Sequence, residues 1–212
     1  MVLLDLSVKG FADELASSSP APGGGTVAAL NGVLAASLGI MASELTMEKT
    51  KDLEPEKREL LTEIRDFCAK TKAVLADLAE EDTDAFNEVM AALHMPKDTD
   101  EQKEIRKTAL RAANVHATRI PLETAKNSVA LCEKLGILAA NAKDSVLSDC
   151  GVSIECARTA ALGAFMNVGI NLPGIKDEDT KKELGDELKA LETKLESLYT
   201  AGTTSLSARF TY

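Results

Sequence analysis

The chain has 212 residues, of which 45% are apolar and only 3% aromatic, and it contains no tryptophan. This length suffices for one domain with a sizeable core, and we predict a single domain over residues 1–212. The formal net charge of −10 argues against a nucleic-acid partner, because phosphate contacts need clustered lysine and arginine. An anionic ligand would have to be held by a few locally placed cations.

Alanine, leucine, glutamate and lysine dominate the composition, and all four favour helices. We therefore predict an all-α fold, a helical bundle with two long central small-residue helices and no sheet. Ser7 is expected to cap a first short helix that continues through Phe11 and Leu15.

The next stretch, residues 17–26, is a turn without bulky side chains that leads into a long apolar helix, residues 27 to about 45. Pro20 and Pro22 exclude helix at the turn, and three consecutive glycines, residues 23–25, permit close approaches that a Cβ would block. Two interpretations stay open. The backbone N–H groups and the positive helix end could hold an anionic or polar ligand group, or the glycines could only allow tight packing.

The apolar segment is predicted to be a buried core helix, because residues 27–42 are too few to span a bilayer and include Asn31 and Ser37. We expect no membrane partner. The N-terminus lacks the charged start and apolar run of a signal peptide. Cysteines without metal-ligand spacing predict buried free thiols in a reducing cytoplasm and no metal site: Cys68, Cys132, Cys150 and Cys156.

Pro55 fits the first turn of a following helix, whose inward stripe continues to Leu93 in steps of three or four. Asp82 stands in that stripe, whereas Glu80, Glu81 and Asp84 fall outside it and are expected to be solvated. A buried carboxylate needs a partner, or its pKa rises. Asp82 is therefore either a structural carboxylate, satisfied by a core cation or a backbone amide, or a catalytic group.

Further along the chain, Pro121 is expected to kink or break the fourth helix. Ser148 and Asp149 precede a second helix rich in small residues and could cap it or contact a substrate. His94 has no clear role, as core residue or as ligand. A last leucine-rich amphipathic helix is expected to cover the bundle.

Several of these stretches together resemble the formiminotransferase-cyclodeaminase C-terminal family, from about Leu6 to about Leu198. The marks occur in the family's order: residues 20–29 (PAPGGGTVAA), 82–86 (DTDAF), 119–122 (RIPL), 148–149 (SD) and 167–172 (NVGINL). The resemblance implies an all-helical homodimer that acts on tetrahydrofolate one-carbon units, with no cofactor beyond that substrate.

The resemblance also implies roles for individual residues. The family's catalytic aspartate matches Asp82, and the folate site would include the turn and two later residues: Pro22, Gly23, Gly24, Gly25, Thr26, Ser148 and Asp149. The family often has a glycine and two basic residues after a Leu-Thr pair, but here Leu45-Thr46 leads into Met47-Glu48-Lys49-Thr50-Lys51. Lys49 is the candidate to keep the cationic catalytic role.

Two reactions occur in that family, and both pass through a cationic carbon between two nitrogens. A methenyltetrahydrofolate cyclohydrolase needs a base that deprotonates water and an acid for the departing ring nitrogen, a pair of tasks that one carboxyl group can perform. We expect this activity, since the 212 residues include no formiminotransferase domain and the basic motif is altered. The alternatives are a formiminotetrahydrofolate cyclodeaminase, which releases ammonia, and a non-catalytic helical assembly protein.

Overall fold

A computed structural model describes residues 2–50 and 52–210, so that Lys51 of the basic segment lies outside the described residues. Within these ranges the chain forms six α-helices, three short 3₁₀ turns and no strand. The helices are α1 (Val8–Leu15), α2 (Gly24–Lys49), α3 (Pro55–His94), α4 (Asp100–Asn141), α5 (Leu147–Asn171) and α6 (Glu178–Ser207). The predicted all-α class is confirmed.

The two predicted small-residue helices, α2 and α5, form the centre of the bundle. They pack against each other, α3 and α4 flank them, and α6 covers α4 and α5. A Cβ at Gly163 would lie 3.0 Å from the Cβ of Ala28, and one at Gly32 would lie 2.6 Å from Leu75 Cδ1. A side chain at Gly32 would therefore force the buried Leu75 side chain to move.

The helix starts follow ordinary capping chemistry. The Ser7 hydroxyl accepts from the Gly10 N–H at 3.0 Å, as predicted, and Pro55 opens α3. Thr99 and Gln102 cap α4 reciprocally. Ser148 and Asp149 lie in the first turn of α5 but do not cap it, since no side chain bonds to that helix start.

The structure corrects two details of the sequence-based prediction and bears on a third. The apolar segment was predicted to be too short to span a bilayer, but α2 begins at Gly24 and has 26 residues, and by length and apolar composition alone it could cross a membrane. Half of its most apolar part is nevertheless buried among the other helices. Glu80 is not solvated, because its carboxylate accepts the N–H groups of Leu3 and Leu4 at 3.0 and 2.9 Å. Of the kink or break expected at Pro121, the break does not occur, because α4 continues through this residue.

The continuity of α4 at Pro121 has a specific cause. Proline lacks an N–H, so the carbonyl four residues earlier, that of Ala117, loses its helical partner. The Asn171 Nδ2 atom, at the end of α5, donates to this oxygen at 2.7 Å. A side chain from a neighbouring helix thus replaces the missing bond.

All four cysteines are free, and Cys68, Cys132 and Cys150 are buried. Burial raises the pKa of the Cys68 thiol to about 12 and that of Cys150 to about 11, so these thiols stay protonated at neutral pH. Their contribution is to packing.

Candidate active site

The Asp82 carboxylate lies at the start of α2, against the glycines. Its Oδ2 atom accepts the Thr26 hydroxyl at 3.0 Å, and the Thr26 backbone N–H also donates to the carboxylate. Thr26 itself is fully buried. The carboxylate therefore satisfies a backbone donor in the first turn of α2, where helical N–H groups have no internal partner.

Gly25 is needed because of this contact. A Cβ at Gly25 would lie 2.6 Å from both Cγ and Oδ2 of Asp82, closer than real Cβ contacts. No glycine of the described chain has a positive φ, so the triplet does not serve an unusual backbone conformation. The packing interpretation of the glycines is thus correct for Gly25, and the group packed there is the candidate catalytic carboxylate.

Burial raises the pKa of the Asp82 carboxyl group, and the two hydrogen bonds from Thr26 oppose that rise without cancelling it. No lysine, arginine or histidine in the described part of the chain contributes to this pKa. The carboxylate therefore has hydrogen-bond donors but no cation beside it. A cationic ligand would supply the missing charge.

Asp82 opens into a cavity of about 270 Å³ at one end of the bundle. The cavity is lined by five elements, namely the turn before α2, the start of α2, α3, the α4 segment around Asn114 and the end of α5: Pro20, Ala21, Gly23, Gly24, Gly25, Asp82, Phe86, Val89, Asn114, Ala117, Asn167 and Asn171. Phe86 and Val89 continue the inward stripe of α3 and form the apolar wall of this cavity.

Three half-buried asparagines supply the other polar groups of this cavity. Their Nδ2 atoms donate to backbone carbonyls, Asn114 to Gly174 at 3.3 Å, Asn167 to Gly163 at 2.8 Å and Asn171 to Ala117 at 2.7 Å. Each amide nitrogen has a second hydrogen and each amide has an oxygen, so these side chains can donate to a ligand as well as accept from it. The cavity is therefore polar on this side, and its one anionic group is Asp82.

The predicted site residues divide into two groups. Gly23, Gly24, Gly25 and Asp82 line the cavity, Thr26 binds Asp82, and Pro22 is buried in the same turn after a cis peptide bond. Ser148 and Asp149 lie at the other end of α5, about 28 Å along the helix from Asn167.

Lys49 also lies far from the cavity, because it is the last residue of α2, about 36 Å along the helix from Gly25. The structure therefore does not bring Lys49, Ser148 or Asp149 to Asp82 within one chain. A helix of 26 residues keeps its two ends far apart, and the long helix predicted over residues 27 to about 45 already implied this separation.

The asparagines were missed by the sequence analysis as site residues. Asn167 and Asn171 recur four residues apart on an apolar helix, and that spacing could have indicated a polar pair on one face. Asn114 carried no comparable signal. Outside the cavity, His94 bonds only to the Met90 carbonyl in its own helix, and no group of three potential metal ligands occurs among the described residues.

The fold and the cavity define an all-helical protein with a half-buried carboxylate at a helix start and a pocket lined by asparagines and glycines. The model of the formiminotransferase-cyclodeaminase family matches residues 7–190. The chain therefore belongs to this family.

Individual relatives represent both family activities. The chain is 33% identical to a methenyltetrahydrofolate cyclohydrolase of Methylorubrum extorquens over 87% of this chain and 88% of that protein. It is 33% identical to the formimidoyltransferase-cyclodeaminase of Mus musculus over 98% of this chain, but only 38% of that longer protein. The crystal structure of a formiminotetrahydrofolate cyclodeaminase from Thermotoga maritima superposes with a TM-score of 0.85 at 28% identity, covering 97% of this chain and 98% of that one.

Proposed function

We propose that this chain is a methenyltetrahydrofolate cyclohydrolase that interconverts 5,10-methenyltetrahydrofolate and 10-formyltetrahydrofolate, with Asp82 as its proton-transfer group. The observation that carries the proposal is the Asp82 carboxylate, which lines a cavity without a neighbouring cation. The methenyl substrate brings a positive amidinium carbon, whose charge complements the carboxylate. The relative from Methylorubrum extorquens, matched over nearly its whole length, supports the choice of reaction.

The proposed reaction begins when a water oxygen bonds to the methenyl carbon and Asp82 takes a proton from that water. The bond from this carbon to the ring nitrogen then breaks, and the protonated Asp82 returns its proton to that nitrogen. The remaining hydroxyl loses its proton to solvent, which leaves the formyl group and one released proton. A raised carboxyl pKa favours this exchange, since the group must both accept and donate a proton.

A cyclodeaminase is the second candidate, and the likeness to the Thermotoga maritima structure favours it. In that reaction the second nitrogen of the substrate bonds to the carbon of the protonated formimino group and gives its own proton to Asp82, and the bond from this carbon to the leaving nitrogen then breaks. The same carboxyl group would deliver the proton that lets ammonia depart. In both reactions one carboxyl group can carry out the proton transfers.

The test is the absorbance of the methenyl chromophore with purified protein, measured once with methenyltetrahydrofolate and once with 5-formiminotetrahydrofolate. Wild type, Asp82→Asn and the matched control Asp84→Asn are compared, because Asp84 is exposed two residues away on α3. We expect wild type and Asp84→Asn to lose methenyl absorbance faster than the uncatalysed rate, and Asp82→Asn not to do so. Growth of the signal with ammonia release instead would establish the cyclodeaminase, and no change with either substrate would favour a non-catalytic assembly protein.

We also propose a homodimer. Apolar side chains on α2 and α5 are at least 38% exposed: Leu34, Met41, Val152, Met166 and Ile170. An antiparallel pair of chains could cover these faces, and it could bring Lys49, Ser148 and Asp149 of one copy toward the cavity of the other. Light scattering of wild type and Leu34→Glu tests this, since a dimer that uses this face would dissociate.

The remaining expectations are proposals as well. We propose a cytoplasmic enzyme without a nucleic-acid or membrane partner and without a cofactor beyond its folate substrate. Free, buried cysteines support a reducing compartment. The packing of α2 against α3, α4 and α5 supports a core role for that helix. Fractionation of cells that express the tagged protein would test the compartment.

A further inference from the structure

Asn171, in the wall of the Asp82 cavity, bonds to a carbonyl group that a proline has left without a donor. The Asn171 Nδ2 atom donates to the Ala117 oxygen at 2.7 Å, and this oxygen lacks a helical partner because Pro121 has no N–H. Asn171 and Ala117 both line the cavity, whereas Pro121 is buried and is not among the lining residues. Pro121 thus frees a backbone acceptor in the cavity wall.

This acceptor sets the orientation of the Asn171 amide. A carbonyl oxygen only accepts, so the amide presents its nitrogen rather than its oxygen to Ala117. That bond uses one hydrogen of Nδ2. The second hydrogen and Oδ1 have no hydrogen-bond partner in the part of the chain that the structure describes. Asn171 therefore offers a ligand one donor and one acceptor on a side chain that is held in place from α4.

The other polar groups of the cavity are complementary to this amide. Asn167 lies four residues before Asn171, on the same face of α5, and its Nδ2 atom donates to the Gly163 carbonyl at 2.8 Å. Asp82 is the one anionic group among the lining residues. A ligand that fits this cavity carries positive charge at one point and uncharged N–H and C=O groups elsewhere.

We infer that Asn171 is a substrate-binding residue that holds the uncharged ring of the folate while Asp82 acts at the cationic carbon. The inference depends on the proposed folate chemistry of the cavity. The pyrimidinone part of that ring carries an N–H group beside a C=O group. These two groups need one acceptor and one donor, which are the groups that Asn171 retains after its bond to Ala117.

Pro121 makes it possible to separate this ligand contact from a structural role. Asn171→Ala alone would also leave the Ala117 carbonyl without a donor, so weaker binding in that variant has two explanations. Pro121→Ala supplies a helical N–H to the same carbonyl and removes the second explanation. The experiment therefore compares the dissociation constant of tetrahydrofolate, measured by calorimetry, in wild type, Asn171→Ala, Pro121→Ala and the double variant.

We expect Asn171→Ala to weaken binding by about threefold to tenfold, as for the loss of a neutral hydrogen bond. Pro121→Ala should bind like wild type, and the double variant should bind as weakly as Asn171→Ala although the carbonyl has regained a donor. The affinity for 6-methyltetrahydropterin, which has the ring but no tail, should fall by the same factor. In turnover, KM should rise and kcat should change little, because the ring contact is the same in substrate and transition state.

The matched control is Asn127→Ala, because Asn127 also donates to a helical carbonyl, that of Glu123 at 2.9 Å, but lies outside the cavity. Wild-type affinity in the double variant, an equal loss in this control, or a tetrahydropterin affinity unchanged by Asn171→Ala would overturn the inference. Binding with the expected Asn171 effect but without turnover refutes only the proposed reaction. Turnover with unchanged binding in Asn171→Ala refutes only the ring contact, and a wild type that does not bind tetrahydrofolate refutes both.

Discussion

The carboxylate of Asp82 occupies the space that a side chain at Gly25 would fill, with Cγ and Oδ2 both 2.6 Å from the position of the missing Cβ. The two residues come from different helices and are 57 positions apart, yet neither can change without affecting the other. The glycine lets the carboxylate reach the Thr26 backbone N–H, which has no hydrogen-bond partner within the first turn of α2. This contact places one acidic group at the base of the cavity.

Gly25→Ala should therefore displace Asp82. We expect a loss of about 1–3 kcal/mol in the free energy of unfolding from overpacking, and a fall of about a hundredfold in kcat from the misplaced carboxylate. Urea unfolding and methenyl absorbance measure the two effects. Gly169→Ala is the control, since a Cβ there meets nothing within 4 Å. It should leave kcat nearly unchanged and raise the free energy of unfolding by up to about 1 kcal/mol, because alanine favours the helix more than glycine does.

Thr26→Val should shift the pH dependence of the reaction. The Thr26 hydroxyl favours the ionised form of Asp82, so its removal should raise the pKa of that carboxyl group further. The acidic limb of the kcat/KM profile should then move to higher pH, because the base must be ionised in the free enzyme. Thr26→Ser retains the hydroxyl and should keep the wild-type profile. An unshifted Thr26→Val profile would show that Asp82 is not the group that titrates.

Asp82→Asn should increase stability while it abolishes activity. Since burial raises the pKa of Asp82 in the folded state, the folded protein binds this proton more tightly than the unfolded chain does. Its contribution to stability is full below the ordinary carboxyl pKa and is lost as pH rises through the raised pKa. The difference in the free energy of unfolding between Asp82→Asn and wild type, measured with urea, should thus grow as the pH rises from the ordinary carboxyl pKa through the raised pKa of Asp82. An advantage that is independent of pH would contradict this account.

Pro121 and Asn171 should be energetically coupled through the Ala117 carbonyl. Asn171→Ala leaves that oxygen without its donor, at a cost of about 1–3 kcal/mol in the free energy of unfolding. In the Pro121→Ala background a helical N–H becomes available to the same oxygen, so the cost should largely disappear. A double-mutant cycle measures this difference, and simple additivity would show that the two residues act independently.

Glu80→Ala should loosen the N-terminus of the chain. The Glu80 carboxylate accepts both the Leu3 and the Leu4 N–H, and its loss should cost about 1–3 kcal/mol. Hydrogen exchange at these two amides should become faster. Glu81→Ala removes an exposed carboxylate from the next position and should change stability by no more than about 0.5 kcal/mol.

Local patterns in the sequence were enough to predict the helices and the main candidate residue. The spacing of apolar residues along α3 placed Asp82 on the inward side, since neighbours three and four apart share one helix face. Capping chemistry predicted the start of α1 at Ser7, and small residues predicted the close packing of α2. These features depend on residues within a few turns of one another.

Only the tertiary structure decided which of the candidates meet. A helix is a rigid rod, so Lys49 and Ser148 lie at the ends of α2 and α5 remote from Asp82, however well their motifs match. Asn114 lines the cavity because α4 passes there, and Asn171 can complete α4 at Pro121 because α5 ends beside it. The sequence by itself determined each helix and the side chains on each of its faces. The cavity was decided by the packing of distant segments, because contacts between helices depend on residues far apart in the chain.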